Sequence, residues 1–267
     1  MIPRVLSIAG SDSGGGAGIQ ADLKTMCALG CYGMTAVTAV TYQNTQDVAG
    51  VTPVAPEHVA KQIDLVLEDI GADAIKIGML GSAAVVEAVA AALDRHAGPP
   101  IVLDPVMVSK SGARLLDADA GEALLHWLLP QAAVITPNAR EAEALTGIAV
   151  QDEDSLLRAA DALLKAGARA VLAKGGHLEG AEAVDWLITP DLRERYSRPR
   201  IDTKNTHGTG CTYSSAVACF LAQGIELPQA VAFAKDYLHH AILHALPLGQ
   251  GHGPLHHAWA TEFLDAE

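Results

Sequence analysis

Val5-Leu6-Ser7-Ile8-Ala9-Gly10-Ser11-Asp12-Ser13-Gly14-Gly15-Gly16-Ala17-Gly18-Ile19-Gln20-Ala21-Asp22-Leu23 passes from an apolar run, through a Gly-rich turn, into an amphipathic stretch. Residues 5–9 read as a buried strand. Ile19, Leu23, Met26 and Leu29, at three- and four-residue spacing, predict a helix over about 18–29. The alternation then repeats. A strand over 34–42 is followed by a Thr/Gln/Asn segment, and Pro56 opens a helix with Val59, Ile63, Val66, Leu67 and Ile70 on its buried face. Strands are predicted at 74–77, 101–103, 134–135 and 170–172, with helices over 83–93, around 118–128, and near Glu141 and Leu156. Residues 183–189 and 194–201 read as an antiparallel hairpin turning at Pro190-Asp191. A helix running to Gln223 and a last one over about 228–246 complete the chain. Alternation of this kind predicts an α/β fold: a mainly parallel sheet covered by helices on both faces, with a small antiparallel extension.

Composition narrows the function. In 267 residues, 18 Lys and Arg stand against 31 Asp and Glu, a formal charge of −13. A nucleic-acid partner is excluded, because phosphate binding needs a basic face. Half the residues are hydrophobic, only 4% are aromatic and 25 are Gly, which describes an aliphatic core with many tight turns and excludes a disordered or collagen-like chain. We expect one domain over 1–267, without repeats or linkers. The four cysteines, Cys27, Cys31, Cys211 and Cys219, do not form a dense disulfide framework, so a reducing, cytoplasmic compartment is expected. Arg4 and the short apolar run after it are too little for a signal-peptide core. The longest apolar stretch is cut by Lys76 and Glu87, so no membrane span is expected.

Ligands of parallel sheets sit beyond the carboxyl ends of the strands, so the residues just after each strand matter most. After the first comes Gly10-Ser11-Asp12; after the second, Gln43-Asn44-Thr45; later ones are succeeded by Gly78-Met79, Asp104-Pro105, Thr136-Pro137-Asn138 and Lys174-Gly175-Gly176-His177. Gly208-Thr209-Gly210-Cys211 opens a helix rich in small residues, where free first-turn amides and the helix dipole make an anion site suited to phosphate. The same amides would lower the pKa of Cys211 and fit it to take a proton from a substrate hydroxyl. Cys27, Cys31 and Cys219, on apolar helix stretches, read as structural thiols. Asn138 and Glu141 stand three apart after a strand: either an ordinary capping box or oxygens facing a water-bridged Mg²⁺. Asp104 would add negative charge at that metal, and Lys174 would neutralise phosphate oxygens. Gln43 offers a carbonyl and an amide on one plane, the pair that bonds an exocyclic amine and its neighbouring ring nitrogen. No Walker-type phosphate loop is present, and the cluster from Gly14 to Gly18 has the wrong spacing for a dinucleotide fingerprint. His239, His240 and His244 share helical spacing but lack the companions of a zinc site.

Taken in order, Ala9 to Thr25, Gln43-Asn44-Thr45, Lys76-Ile77-Gly78-Met79-Leu80, Leu103-Asp104-Pro105-Val106-Met107, Lys174 to His177, Lys204 to Thr212 and Gly251-His252-Gly253-Pro254 resemble the hydroxymethylpyrimidine and phosphomethylpyrimidine kinases of thiamine biosynthesis. These belong to the ribokinase-like superfamily. The resemblance implies a single three-layer α/β/α domain, usually a homodimer. It further implies ATP-dependent phosphorylation of 4-amino-5-hydroxymethyl-2-methylpyrimidine to its monophosphate, and of the monophosphate to the diphosphate. Under it, Gln43 reads the aminopyrimidine edge, with Gly10, Met79 and Asp22 at the substrate. Lys174, Thr209 and Gly210 contact ATP; Asp104, Asn138 and Glu141 organise Mg²⁺; Gly208 and Gly210 supply the anion hole; Cys211 is the general base. The wider superfamily commonly carries Asp at that last position, and Cys agrees with the pyrimidine-kinase branch. Pyridoxal kinase activity is the alternative within the family, and a nonenzymatic pyrimidine-binding relative the alternative outside it.

Overall fold

Strand β1 (Arg4–Asp12) pairs in parallel with β2 (Tyr32–Gln43) on one side and β4 (Ala74–Ile77) on the other. The elements between and beyond them are α1 (Gly18–Ala28), β3 (Val48–Pro53), α2 (Pro56–Asp69), α3 (Ala83–Arg95), β5 (Ile101–Leu103) and α4 (Ala120–Ala123), which continues into a π-type turn over Leu124–Leu128. Then come β6 (Val134–Ile135), α5 (Ala139–Thr146), α6 (Glu153–Lys165), β7 (Val171–Lys174), β8 (Glu182–Ile188), β9 (Arg193–Pro199), α7 (Thr209–Ala222) and α8 (Leu227–Leu243). This computed structural model describes residues 1–96, 98–107, 115, 117, 119–176 and 178–259; Ala118 and His177 of the sequence motifs lie outside the described residues.

The sheet has nine strands in the order β3-β2-β1-β4-β5-β6-β7-β8-β9. The run from β2 to β7 is parallel, while β3 at one edge and β8 and β9 at the other are antiparallel. The expected hairpin extension is β8 and β9. Strand β3 was not expected: its Val48-Ala49-Gly50-Val51-Thr52-Pro53 is mostly exposed and shows no alternation, as befits an edge strand whose place is set by pairing with β2. β1 also runs past Ala9 to Asp12. A bulge between Ala9 and Ser11 restores pairing, with Ser11 opposite Val40 and Asp12 opposite Thr41, and so turns the polar end of the strand toward the crevice.

Successive strand residues face opposite layers. Leu6, Ile8, Ile75, Ile77, Leu103 and Ile135 pack against α2, α3 and α6, whereas Val5, Ala74, Val102, Val134 and Leu172 pack against α1, α7 and α8. Burying each large aliphatic side chain of these layers contributes roughly 1.5–3 kcal/mol. β1 is followed along the chain by its neighbour on one side, and β4 is added on the other. The order of strands therefore reverses at β1 and β4, and a crevice opens at their carboxyl ends.

Candidate active site

A cavity of about 330 Å³ fills that crevice and is lined by the ends of β1, β2, β4, β5 and β7 and by the start of α7. Helix α7 enters without a side-chain cap: its N-cap Gly208 has φ +83°, and the first helical bond runs from the Thr212 amide to the Gly208 carbonyl. The amides of Gly210 and Cys211 precede that bond and have no partner in the helix, which makes the cavity wall here an anion site. Gly208 is dictated by space as well as by φ, since a Cβ there would lie 1.8 Å from the Gly16 carbonyl oxygen. A Cβ on Gly210 would meet only Lys174 Nζ at 3.5 Å and Asp104 Oδ2 at 3.6 Å. Thr209, the first helical residue, donates its hydroxyl to the Thr206 carbonyl at 2.7 Å.

The parallel register brings Asp104, Thr136 and Lys174 side by side: the Asp104 amide bonds the Ile77 carbonyl, that of Thr136 the Leu103 carbonyl, and that of Lys174 the Pro137 carbonyl. Lys174 Nζ donates to Asp104 Oδ1 at 2.8 Å, Thr136 donates to the same oxygen at 3.0 Å, and Ser214 reaches Oδ2 at 3.3 Å. Burial works against both charges. Even so, Lys174 and Lys76 hold the Asp104 carboxyl below its ordinary range, and Asp104 and Glu141 hold the Lys174 ammonium above its own. Asn138 and Glu141 form the capping box of α5: Asn138 Oδ1 accepts from the amides of Arg140 and Glu141, and Glu141 Oε2 accepts from the Asn138 amide. Asn138 lines the cavity with its carbonyl oxygen committed to the helix. Burial pushes Glu141 up to about 7, with Lys174 opposing and Asp104 adding to the rise.

Gln43 stands at the end of β2, with its amide nitrogen 3.0 Å from Nε2 of His207. The same His207 nitrogen is 2.9 Å from Asp12 Oδ2. Asp12 also accepts from the amides of Gly14, Gly16 and Ala17. Burial would raise its pKa, but the bonds from His207, Ala17 and Gly14 bring it below the ordinary carboxylate value. A proton on His207 Nε2 suits Asp12, and the Gln43 side chain turned with its carbonyl to that nitrogen keeps a second lone pair and its NH₂ for the cavity. Gly10 and Met79 line the cavity beside Gln43.

Two expectations change. Asp22 does not line the cavity: it is fully buried behind it, paired to Lys76 at 2.9 Å, because α1 turns it inward beneath β1 and β4. Cys211 lines the cavity, but its thiol is pushed up to about 11 rather than lowered. Burial outweighs the attraction of Lys76, and Asp22 and Asp104 add to the rise. Helix amides alone do not decide a thiol that has two carboxylates for neighbours. The other three cysteines lie away from the cavity, and all four are free. His240 and His244 stack on Trp259 at centroid distances of 4.8 and 5.6 Å.

Asp12, Lys76 and His207 received no role from the sequence. The one signal for Lys76 was a lysine inside the wholly buried strand Ala74-Ile75-Lys76-Ile77. A second cavity of about 210 Å³, which no sequence motif announced, lies between β9 and α8. It shares Asn138, Lys174, Thr206, Thr209 and Gly210 with the first, and Pro199, Ile201, Leu238 and Ile242 give it an apolar wall.

Two cavities that meet at an anion-binding helix start, with a lysine and carboxylates at the junction, define a small-molecule kinase of the ribokinase-like α/β/α class. The family model described as phosphomethylpyrimidine kinase matches residues 12–256, and the chain belongs to that family. It is 52% identical over 255 residues to the hydroxymethylpyrimidine/phosphomethylpyrimidine kinase of Rhizobium meliloti, covering 94% of this chain and 96% of that one. It is also 52% identical to the thiamine biosynthesis bifunctional protein of Geobacter sulfurreducens, covering 97% of this chain but spanning only 53% of that longer protein. Among solved structures, an ADP complex of Bacillus subtilis pyridoxal kinase superposes with a TM-score of 0.91 at 38% identity, covering 97% and 99% of the two chains. The phosphomethylpyrimidine kinase of Clostridium difficile 630 superposes with a TM-score of 0.80 at 44% identity, covering 90% and 99%.

Proposed function

We propose that this protein transfers the terminal phosphoryl group of ATP to the hydroxymethyl group of 4-amino-5-hydroxymethyl-2-methylpyrimidine, and then phosphorylates the monophosphate to the diphosphate. One observation carries the reading: the planar amide of Gln43 and the thiol of Cys211 line the same cavity as the open amides of α7. The pyrimidine lies with its amine and ring nitrogen on Gln43, between Gly10 and Met79, and its hydroxymethyl toward Cys211. The nucleotide occupies the second cavity, its base against the apolar wall and its phosphates at Thr209, Gly210 and Lys174. Gly208 and Gly210 shape the anion hole, whose amides take up the charge that develops during transfer.

Mg²⁺ fits the donor set. Asp104 and Glu141 offer hard oxygen ligands, and a dication would offset the desolvation and repulsion that raise Glu141. Among the described residues no cluster of three or more His, Cys, Asp or Glu surrounds one point, so phosphate and water oxygens would complete the shell. Asn138 serves by holding Glu141 in place. When bound, the ion neutralises phosphate charge.

All four thiols are free, in keeping with a cytoplasmic protein. No helix among the described residues is long and apolar enough to cross a membrane. Exposed Tyr32, Val40, Tyr42 and Val51 on β2 and β3 suit a homodimer. The decisive experiment is ATP turnover with the pyrimidine, its monophosphate and pyridoxal in parallel, following products as well as ADP. Diphosphate formation from the pyrimidine is expected; turnover with pyridoxal alone would move the specificity to pyridoxal, the substrate named for the structurally similar Bacillus subtilis kinase. No turnover with any of the three would leave a pyrimidine-binding role.

A further inference from the structure

Behind Cys211 lies an ion pair that the proposed chemistry leaves unused. Lys76 Nζ is 3.0 and 2.9 Å from the two oxygens of Asp22, and both residues are fully buried. Asp22 is held in turn by the hydroxyls of Ser7 and Ser215, at 2.6 and 2.7 Å. Lys76 nevertheless forms part of the cavity lining together with Cys211 and Gly18, whereas Asp22 does not. Both described bonds of the ammonium go to Asp22, so one of its N–H groups has no acceptor among the described residues. A buried ion pair adds little stability over apolar packing, because desolvation offsets the attraction. Its ammonium lies in the wall of the cavity that also holds Cys211, and that placement is what requires a reason.

We propose that Lys76 is a positioning residue for phosphoryl transfer: its fixed charge favours the thiolate of Cys211, and Asp22 sets how much of that charge reaches the sulfur. This rests on Cys211 as the proton acceptor. Burial, Asp22 and Asp104 press Cys211 toward the thiol, while Lys76 and the Gly18 amide press it toward the thiolate. Lys174 faces it from β7, and the open amides of α7 from its own element. Lys76 keeps its proton: burial pulls its pKa down, yet Asp22, Cys211 and Asp104 together hold it above the ordinary lysine value. The two members of the pair therefore act on the sulfur with opposite signs.

That sign difference supplies the test, read as the rate at which iodoacetamide alkylates Cys211 at pH 9, peptide by peptide. Lys76→Met is expected to slow alkylation about tenfold or more. Asp22→Asn is expected to speed it several-fold, since Lys76 is then left with the sulfur as its partner. Lys76→Arg should stay close to wild type. Alkylation of Cys219, which is fully buried, marks loss of the fold in the same digest. If Lys76→Met unfolds by this criterion, Asp22→Asn against Lys76→Arg carries the comparison. Unchanged rates, or shifts of the same sign in both halves of the pair, overturn the proposal. The dependence of kcat on pH in the same variants separates the two claims: alkylation that shifts while kcat does not follow upholds the charge coupling and removes Cys211 as the base.

Discussion

Lys174 Nζ lies 2.8 Å from Asp104 Oδ1 where the two cavities meet, each group keeping the other charged in spite of burial. The contact gives the lysine a fixed position without closing it off, since Lys174 lines both cavities. Lys174→Met is expected to raise KM for MgATP and to lower kcat on the order of 10²-fold, as loss of a preorganised cation does in phosphoryl transfer. KM for the pyrimidine should hold, because Gln43 and Met79 are untouched. Steady-state kinetics with each substrate varied in turn checks this; a rise confined to the pyrimidine KM would place Lys174 elsewhere in the reaction.

Cys211 supplies the second prediction. With the thiol at about 11, the reactive thiolate is a minor form at neutral pH, and log kcat should climb with pH toward that value. Cys211→Ser should lose on the order of 10²-fold or more in kcat with little change in ATP affinity. Cys211→Asp, a base that is ionised far below pH 11, should flatten the alkaline rise. Equal losses of kcat and ATP affinity in Cys211→Ser, or a rise with pH that survives in Cys211→Asp, would contradict the base assignment.

The fold was legible because a parallel sheet buried on both faces writes itself as short apolar runs: the strands at 74–77, 101–103 and 134–135 stand where periodicity puts them. Edge strand β3 was not, since its position comes from pairing rather than from its own pattern. In the site, the strand-end rule located Asp104, Lys174 and Gln43. It could not show that Asp22 turns away from the cavity, nor that His207 meets Asp12 across 195 positions of chain. The charge on Cys211 was illegible for the same reason, since it is set by Lys76, Asp22 and Asp104, which only the folded sheet assembles.

Gln43 carries the third prediction. Gln43→Leu keeps the volume and removes both hydrogen bonds, so KM for the aminopyrimidine should rise roughly 10–100-fold while KM for ATP stays put. Pyridoxal lacks the amine and adjacent ring nitrogen, so its turnover should change less. His207→Phe should move the same ratio in the same direction by a smaller factor, because the amide then loses the partner that sets its orientation. An undiminished preference for the pyrimidine in Gln43→Leu would assign recognition to other residues.

Gly208 and Gly210 separate folding from chemistry within one turn of chain. At Gly208 the backbone is left-handed and a Cβ would lie 1.8 Å from the Gly16 carbonyl, so Gly208→Ala must displace either the helix start or the Gly-rich loop after β1. A loss of at least roughly 1–3 kcal/mol in stability is expected, seen as a lower Tm. Gly210 has ordinary helical geometry and room for a methyl group, so Gly210→Ala should leave Tm within a few degrees of wild type. Its methyl would project toward Lys174 and Asp104, into the space left for a phosphate, and kcat should fall even though the protein is folded. Thermal melts and turnover measured on both variants check the contrast. A Gly210→Ala protein with full activity would show that phosphate does not approach the helix at that residue.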